Sequence, residues 1–240
     1  MAILNETQIK QEYFDKIGGF SSSKVIHELN EYDGEAQVCV ACTQLNGVEV
    51  EMMFPGVKCY SERDKKRILK EWIGFLSTNT KALKALHFIS RVSQAMFDAA
   101  CCQENLEELR FKWGVYSDLS ALQKLSKLRF LYIGQGSSVR DITILGQLND
   151  LVVLHVEAFK RIDDYSPLIT LDDLEQLVIT GPILGATPIR DLEFLREMQN
   201  LRSVSISNVT VKRKYTPDEL DDLRAAVPYL HDINGCIFGR

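Results

Sequence analysis

No apolar run in the 240 residues approaches the roughly 20 needed to cross a bilayer, so no membrane segment is expected. The opening residues, Met1-Ala2-Ile3-Leu4-Asn5-Glu6-Thr7-Gln8, hold no basic stretch ahead of an apolar one, and no secretory leader is expected there. Positive charge is not in surplus. The formal net charge is −5, which argues against a nucleic-acid binder, since those usually carry a basic excess. Nucleophile elbows (G-x-S-x-G), P-loops, G-x-G-x-x-G turns and H-E-x-x-H zinc helices are all missing. These absences point to a cytoplasmic, non-enzymatic protein with no cofactor and no bound metal.

Six cysteines, at 39, 42, 59, 101, 102 and 236, are expected to be reduced thiols, because the chain is long enough for its own core and shows no leader. Cys39-Val40-Ala41-Cys42 is a C-x-x-C, but in a regular strand its two thiols face opposite sides and cannot share a metal. The rival reading, a metal or small-molecule site within residues 1–80, would need that strand to break into a knuckle.

What the chain does have is a recurring phrase. Leu106-Glu107-Glu108-Leu109-Arg110-Phe111 returns at Leu128, Leu151 and Leu174, in steps of 22, 23 and 23 residues. Leu83 fits 23 residues earlier, and looser copies follow at Leu201 and Leu230, giving seven units. A fixed period of this size carrying L-x-x-L-x-L marks leucine-rich repeats. The fold class expected is therefore α/β, a solenoid of about seven repeats with a parallel concave sheet over residues 81–240. The second half of each unit repeats too. Asp118, Asp141, Asp164 and Asp191 each head a short amphipathic turn, as helix-capping residues do. Pro167 suits an early helical position, where its missing N–H costs little. The added residues at 181–188 and 211–217 read as longer loops on one edge of the stack.

Residues 1–80 do not show the period. A helix over 8–17 is expected to end at Gly18-Gly19, and two strands, Ala36–Thr43 and Val48–Phe54, to form a hairpin around Asn46-Gly47. A second helix opens at Ser61, with Ile68, Leu69, Trp72, Phe75 and Leu76 along one face. This order suggests a small α+β N-terminal domain capping the first repeat.

The D-x-S-P-L-like turn, together with the leucine template, resembles the roughly 22-residue repeat class of the internalins and of the phosphatase-1 regulator family. The resemblance covers residues 81–240 and implies a protein-binding horseshoe with parallel strands on its concave side. Those families' asparagine after the template is absent here; Gly114, Gly136, Phe159 and Pro182 stand nearby instead, so a buried asparagine ladder is not expected.

Alternation within each strand sorts its faces. Leu109, Phe111, Leu131, Ile133, Leu154, Val156, Leu177 and Ile179 should build the core. The residues between them should face the concave side, in columns that contain Glu108, Phe130, Val153 and Gln176, then Arg110, Tyr132, His155 and Val178, then Lys112 and Glu157. Those ten are the expected partner-binding residues, with the aromatic and aliphatic patch at their centre reading as an interaction surface. Self-covering by an N-terminal segment or loop, and a dimer contact, are the competing readings. The histidines at 27, 87, 155 and 231 share no ligand spacing; His87 and His155 lie three repeats apart, about 14 Å. Asp163-Asp164 and Asp172-Asp173 read as caps and solvated loop charges, and Lys212-Arg213-Lys214 as a solvated loop. The expected function is binding of another protein, a toxin or enzyme in the form of a bacterial immunity protein or inhibitor. The alternative is a structural scaffold. No nucleic acid and no membrane is expected as partner, and the unbound chain should be a monomer.

Overall fold

The computed structural model describes residues 25–41, 60–227 and 230–233. The expected helix over 8–17 and the hairpin around Asn46-Gly47 lie outside the described residues. Nine strands form one sheet in the order β1-β2-β3-β4-β5-β6-β7-β9-β11, every neighbouring pair parallel. They are β1 (Val25–Ile26), β2 (Gln37–Val40), β3 (Ala85–Ser93), β4 (Glu108–Val115), β5 (Phe130–Ile133), β6 (Val153–Glu157), β7 (Gln176–Thr180), β9 (Ser203–Ser207) and β11 (Leu230–Ile233). Register is set by the leucine template. Leu86, Leu109, Leu131, Leu154, Leu177 and Val204 stand opposite one another from β3 to β9. The template positions of those six units are at most 3% exposed. A one-residue slip would turn each set of inward side chains to the wrong face, which is why the register holds over so many strands.

The sheet crosses the boundary expected at residue 80. β2 pairs with β3, Val38 opposite Leu86 and Val40 opposite Phe88, and β1 extends the same ribbon. The helix α1 (Glu62–Thr78) opens at Ser61, whose hydroxyl accepts from the Asp64 amide at 3.2 Å. It buries Ile68, Trp72 and Leu76, and the Trp72 indole N–H donates to the His27 carbonyl at 2.9 Å. Residues 60–80 thus supply a full helix on the core side of the ribbon, next to α2 (Gln94–Ala100).

From β4 to β9 the return path shrinks to five-residue 3₁₀ turns at Ser120–Lys124, Thr143–Gln147, Ser166–Thr170 and Glu193–Glu197. Each is opened by the expected aspartate. Asp118, Asp141, Asp164 and Asp191 accept from the amide two residues on, at 2.8, 2.8, 2.9 and 3.0 Å. Those bonds, from Ser120, Thr143 and Ser166, hold the carboxyls of Asp118, Asp141 and Asp164 below the ordinary aspartate range. A lowered folded value means that the stabilisation is complete above the unfolded aspartate's pKa and is lost as pH falls through the folded one. Asp141→Ala should cost about 0.5–1 kcal/mol at neutral pH, kept small by its exposure. Asp141→Asn should cost less, because the amide oxygen still accepts, and should flatten the acid limb of the stability curve. Urea midpoints between pH 3 and 7 check both; equal losses for the two variants would contradict the cap.

Three features depart from the expected repeats or go beyond them. First, the two insertions are not only loops. β8 (Thr187–Ile189) and β10 (Val209–Val211) pair in parallel as a separate two-stranded sheet, and Pro188 is tolerated because both strands are edges. Second, the last unit uses a true helix, α3 (Pro217–Ala226), opened by a capping box between Thr216 and Glu219. Third, Leu230 stands opposite Val204 rather than Leu201, with an irregularity before Ile233. Where an asparagine ladder would run, glycine meets an aromatic ring. A Cβ on Gly114 would lie 2.0 Å from Tyr116, and one on Gly136 2.3 Å from Phe159.

Candidate functional site: the outer face of the sheet

The sheet's outer face carries the residues singled out by alternation, and it divides into two rows of different character. The first row is shut. Ala85, Glu108, Phe130, Val153, Gln176 and Ser203 are paired neighbour to neighbour and are all buried, Phe130 at 1% exposure and Val153 at 3%. The expectation of a solvent-facing Glu108, Phe130, Val153 and Gln176 is therefore corrected. They point away from the leucine core, yet water does not reach them. The second row, His87, Arg110, Tyr132, His155, Val178 and Ser205, is half-buried along its length. Glu157 is half-buried as well, while the Lys112 side chain lies outside the described residues.

Polar and aromatic contacts bind the rows into one fixed surface. The Glu108 carboxylate, 2% exposed, accepts from Arg110 Nε at 2.5 Å and lies 2.8 Å from His87 Nε2. A buried carboxylate needs such donors, because desolvation without them costs several kcal/mol. One strand along, the Tyr132 ring stacks on His155 with centroids 4.3 Å apart and planes 19° from parallel. The Tyr132 hydroxyl donates to Glu157 Oε2. Burial, then the bond to Glu157 and that residue's charge, push the phenol's ionisation well above its ordinary value, so it stays a donor across the physiological range. The structure thus brings Glu108 to Arg110, and Tyr132 to His155 and Glu157. Val178 stands beside His155 on the next strand.

At the Tyr132–His155 stack a small molecule would have little room. The hollow bounded by Arg110, Phe130, Leu131, Tyr132, Val153 and His155 measures about 10 Å³, enough for about one water molecule, whereas ligand pockets run to about 300 Å³ and beyond. Among the described residues no three of His, Cys, Asp and Glu gather into a group that could hold a metal ion. Cys39 is a buried free thiol that burial pushes up to about 11, and Cys42 lies outside the described residues. No helix among the described residues is long and apolar enough to cross a membrane.

His87 and its link to Glu108 were missing from the expected site. The signal was available: His87 heads the column that holds Arg110 and Tyr132, one strand earlier. The shut row left no signal, because alternation says which way a side chain points and nothing about what lies over it.

No protein-family model and no curated protein matches the chain. Solved structures do. An internalin from Listeria monocytogenes is 23% identical, over 58% of this chain and 38% of its own, with a TM-score of 0.48. Internalin C2 of the same organism is 20% identical over 59% of this chain and 57% of its own, TM-score 0.41. A leucine-rich-repeat protein from Leptospira interrogans is 16% identical over 63% and 48%, TM-score 0.37. The chain therefore spans between about two fifths and three fifths of the length of these proteins. Its own repeating period, parallel sheet and template register from β3 to β9 give it a leucine-rich-repeat fold.

Proposed function

We propose that this chain is a protein-binding module that holds its partner against the outer face of the sheet, without catalysis of its own. The observation that carries the reading is the half-buried Tyr132–His155 stack, fixed by Glu157 and flanked by Arg110, in the middle of a nine-stranded sheet. Tyrosine and arginine are the residues that most often anchor protein interfaces. Holding them in place beforehand lowers the entropy lost on association. The hollow beside the stack, about 10 Å³, suits a protein side chain's edge better than a metabolite. In this reading Arg110, Tyr132, His155, Glu157 and Val178 touch the partner, and the shut row lies beside them on the same face. The partner is an enzyme or toxin that the chain neutralises in the cytoplasm, in the manner of an immunity protein. That finer reading is supported by the acidic balance and by the absence of catalytic motifs. The chain is a monomer until it meets its partner.

Paired substitutions test the reading. Tyr132→Ala should leave the melting temperature within a few degrees and weaken capture of the partner at least tenfold, the usual scale of an aromatic anchor. Leu131→Ala should do the reverse, costing about 2–5 kcal/mol of stability. The captured partner's activity is then assayed with and without the chain. Equal capture by wild type and Tyr132→Ala, with both folded, would refute the site.

A further inference from the structure

The loops that leave the strands differ in charge from the rest of the chain. From the strand ends of β5, β6, β7 and β9 to the next capping residue they cover 134–140, 158–163, 181–190 and 208–215. Seven basic residues stand there against one acidic residue, Asp163. The whole chain carries a formal −5, an average that hides this edge. Backbone bonds tie the loops side by side. Gly136 donates to the Glu157 carbonyl at 3.0 Å, Ala158 to Thr180 at 2.7 Å, Gly181 to Ser207 at 2.8 Å and Arg190 to Asp163 at 2.6 Å. The Asp163 carboxylate is already held, by Lys212 at 2.7 Å and Arg190 at 3.8 Å. Arg140, Lys160, Arg161 and Lys214 are exposed and form no ion pair among the described residues.

The same edge carries an apolar point. Ile183 and Leu184, 92% and 85% exposed, are the most exposed large apolar side chains among the described residues, and both lie in the loop between β7 and β8. Gly185 follows them at φ 98°, and a Cβ there would meet no atom within 4 Å, so the tip stands in open space. Val115, a third exposed aliphatic, ends β4 at the same end of the sheet. The register of β6 on β7, Glu157 opposite Thr180, carries Lys160 to Ile183 and Arg161 to Leu184 one unit later. Two cations free of carboxylates therefore lie on the loop beside the tip.

We propose that this edge is a peripheral membrane contact, in which Ile183 and Leu184 enter the interface of an anionic phospholipid bilayer while Lys160, Arg161, Arg140 and Lys214 meet its phosphates. Buried apolar area and attraction to anionic lipid add together in such contacts. A protruding aliphatic tip suits a penetrable surface, whereas a protein would need a pocket shaped to it. Cations spread over neighbouring loops suit a surface that is flat and uniformly charged. The acidic remainder of the chain is repelled by the same surface, which turns this edge toward it. The expectation that a membrane is no partner rested on the lack of a spanning segment, and a peripheral contact needs none. The edge uses none of the residues assigned to the outer face and does not depend on that reading.

The test is co-sedimentation of the full chain with vesicles of phosphatidylcholine alone and of phosphatidylcholine with phosphatidylserine. The mixed vesicles should carry the chain down and the neutral ones should not, and added salt should release it. Lys160→Ala and Arg161→Ala should each weaken binding about fivefold, the worth of one cation at an anionic surface. The double change Ile183→Ser with Leu184→Ser should weaken it about tenfold or more. Both side chains are exposed, so the melting temperature should not move. Lys124→Ala, which removes an exposed cation from a convex turn, should leave binding as it is. Equal binding to both kinds of vesicle, binding to neither, or full binding by the double variant would each overturn the proposal. So would tighter binding to poly-glutamate than to the mixed vesicles, which would assign the edge to an acidic protein.

Discussion

Phe111→Ala is expected to cost about 4 kcal/mol, within the range for large-to-small changes of buried aromatics. Phe111 is fully buried, and its ring lies 5.4 Å from Phe88, 5.0 Å from Phe97 and 5.8 Å from Tyr116. Truncation leaves a hole among three rings that cannot all move inward, because each is tied to its own element. Phe88 is held on β3, Phe97 on α2, and Tyr116 by the bond from its hydroxyl to the Gly134 carbonyl. The Phe88 and Phe111 rings stack at 11°, and such pairs add about 0.5–1.5 kcal/mol beyond buried area. Small domains hold only about 5–15 kcal/mol in total, so the variant should melt many degrees lower. The midpoint of urea unfolding measures the loss. Val156→Ala, at the same template position two units on, lacks the aromatic cluster and should cost less. If the two losses were equal, the aromatic packing would contribute nothing beyond burial.

Stacked repeats respond locally to such damage, because each unit touches only its neighbours. The Phe111 cluster sits where helices give way to 3₁₀ turns, with α2 on one side and Ser120–Lys124 on the other. Damage there should uncouple the helical end from the regular repeats. Hydrogen exchange on Phe111→Ala should therefore rise first in β3, α2 and β4, before β6 and β7.

The inward face of this ribbon was legible because its signal is periodic. Each leucine of L-x-x-L-x-L occupies the same place one unit later, and neither chemistry nor distant chain alters that. The aspartate caps were legible for the same reason. The beginning of the sheet was not. Glu35 stands where the template asks for its first leucine, so only Val38 and Val40 mark β2 as another unit, and the long passage to β3 hides the period. The small second sheet was illegible because Thr187-Pro188-Ile189 reads as a turn, and its pairing with β10 depends on two insertions coming together in space. On the outer face, alternation named the right columns and misjudged the exposure of one. Phe130 and Val153 alternate as outward residues should, yet their burial is a property of the whole fold and is not written in any strand.

Glu108→Ala is expected to cost about 3 kcal/mol, comparable to a core truncation although no core contact is lost. The carboxylate is 2% exposed between Arg110 and His87, with side chains of 26% and 14% exposure. Taking it away removes the acceptor from two nitrogen donors that burial has largely cut off from water, and that loss exceeds the worth of the pairing itself. Glu108→Gln keeps the shape and one acceptor oxygen and should recover about half of the cost. The same comparison reaches the proposed interface. Glu108 holds Arg110 beside Tyr132 without being exposed itself, so its loss should weaken partner binding through Arg110 alone. A double-mutant cycle decides this: once Arg110 is already alanine, the further change Glu108→Ala should no longer affect affinity. Additive losses of affinity would mean that Glu108 acts on the partner by some route other than Arg110, and the positioning argument would fail.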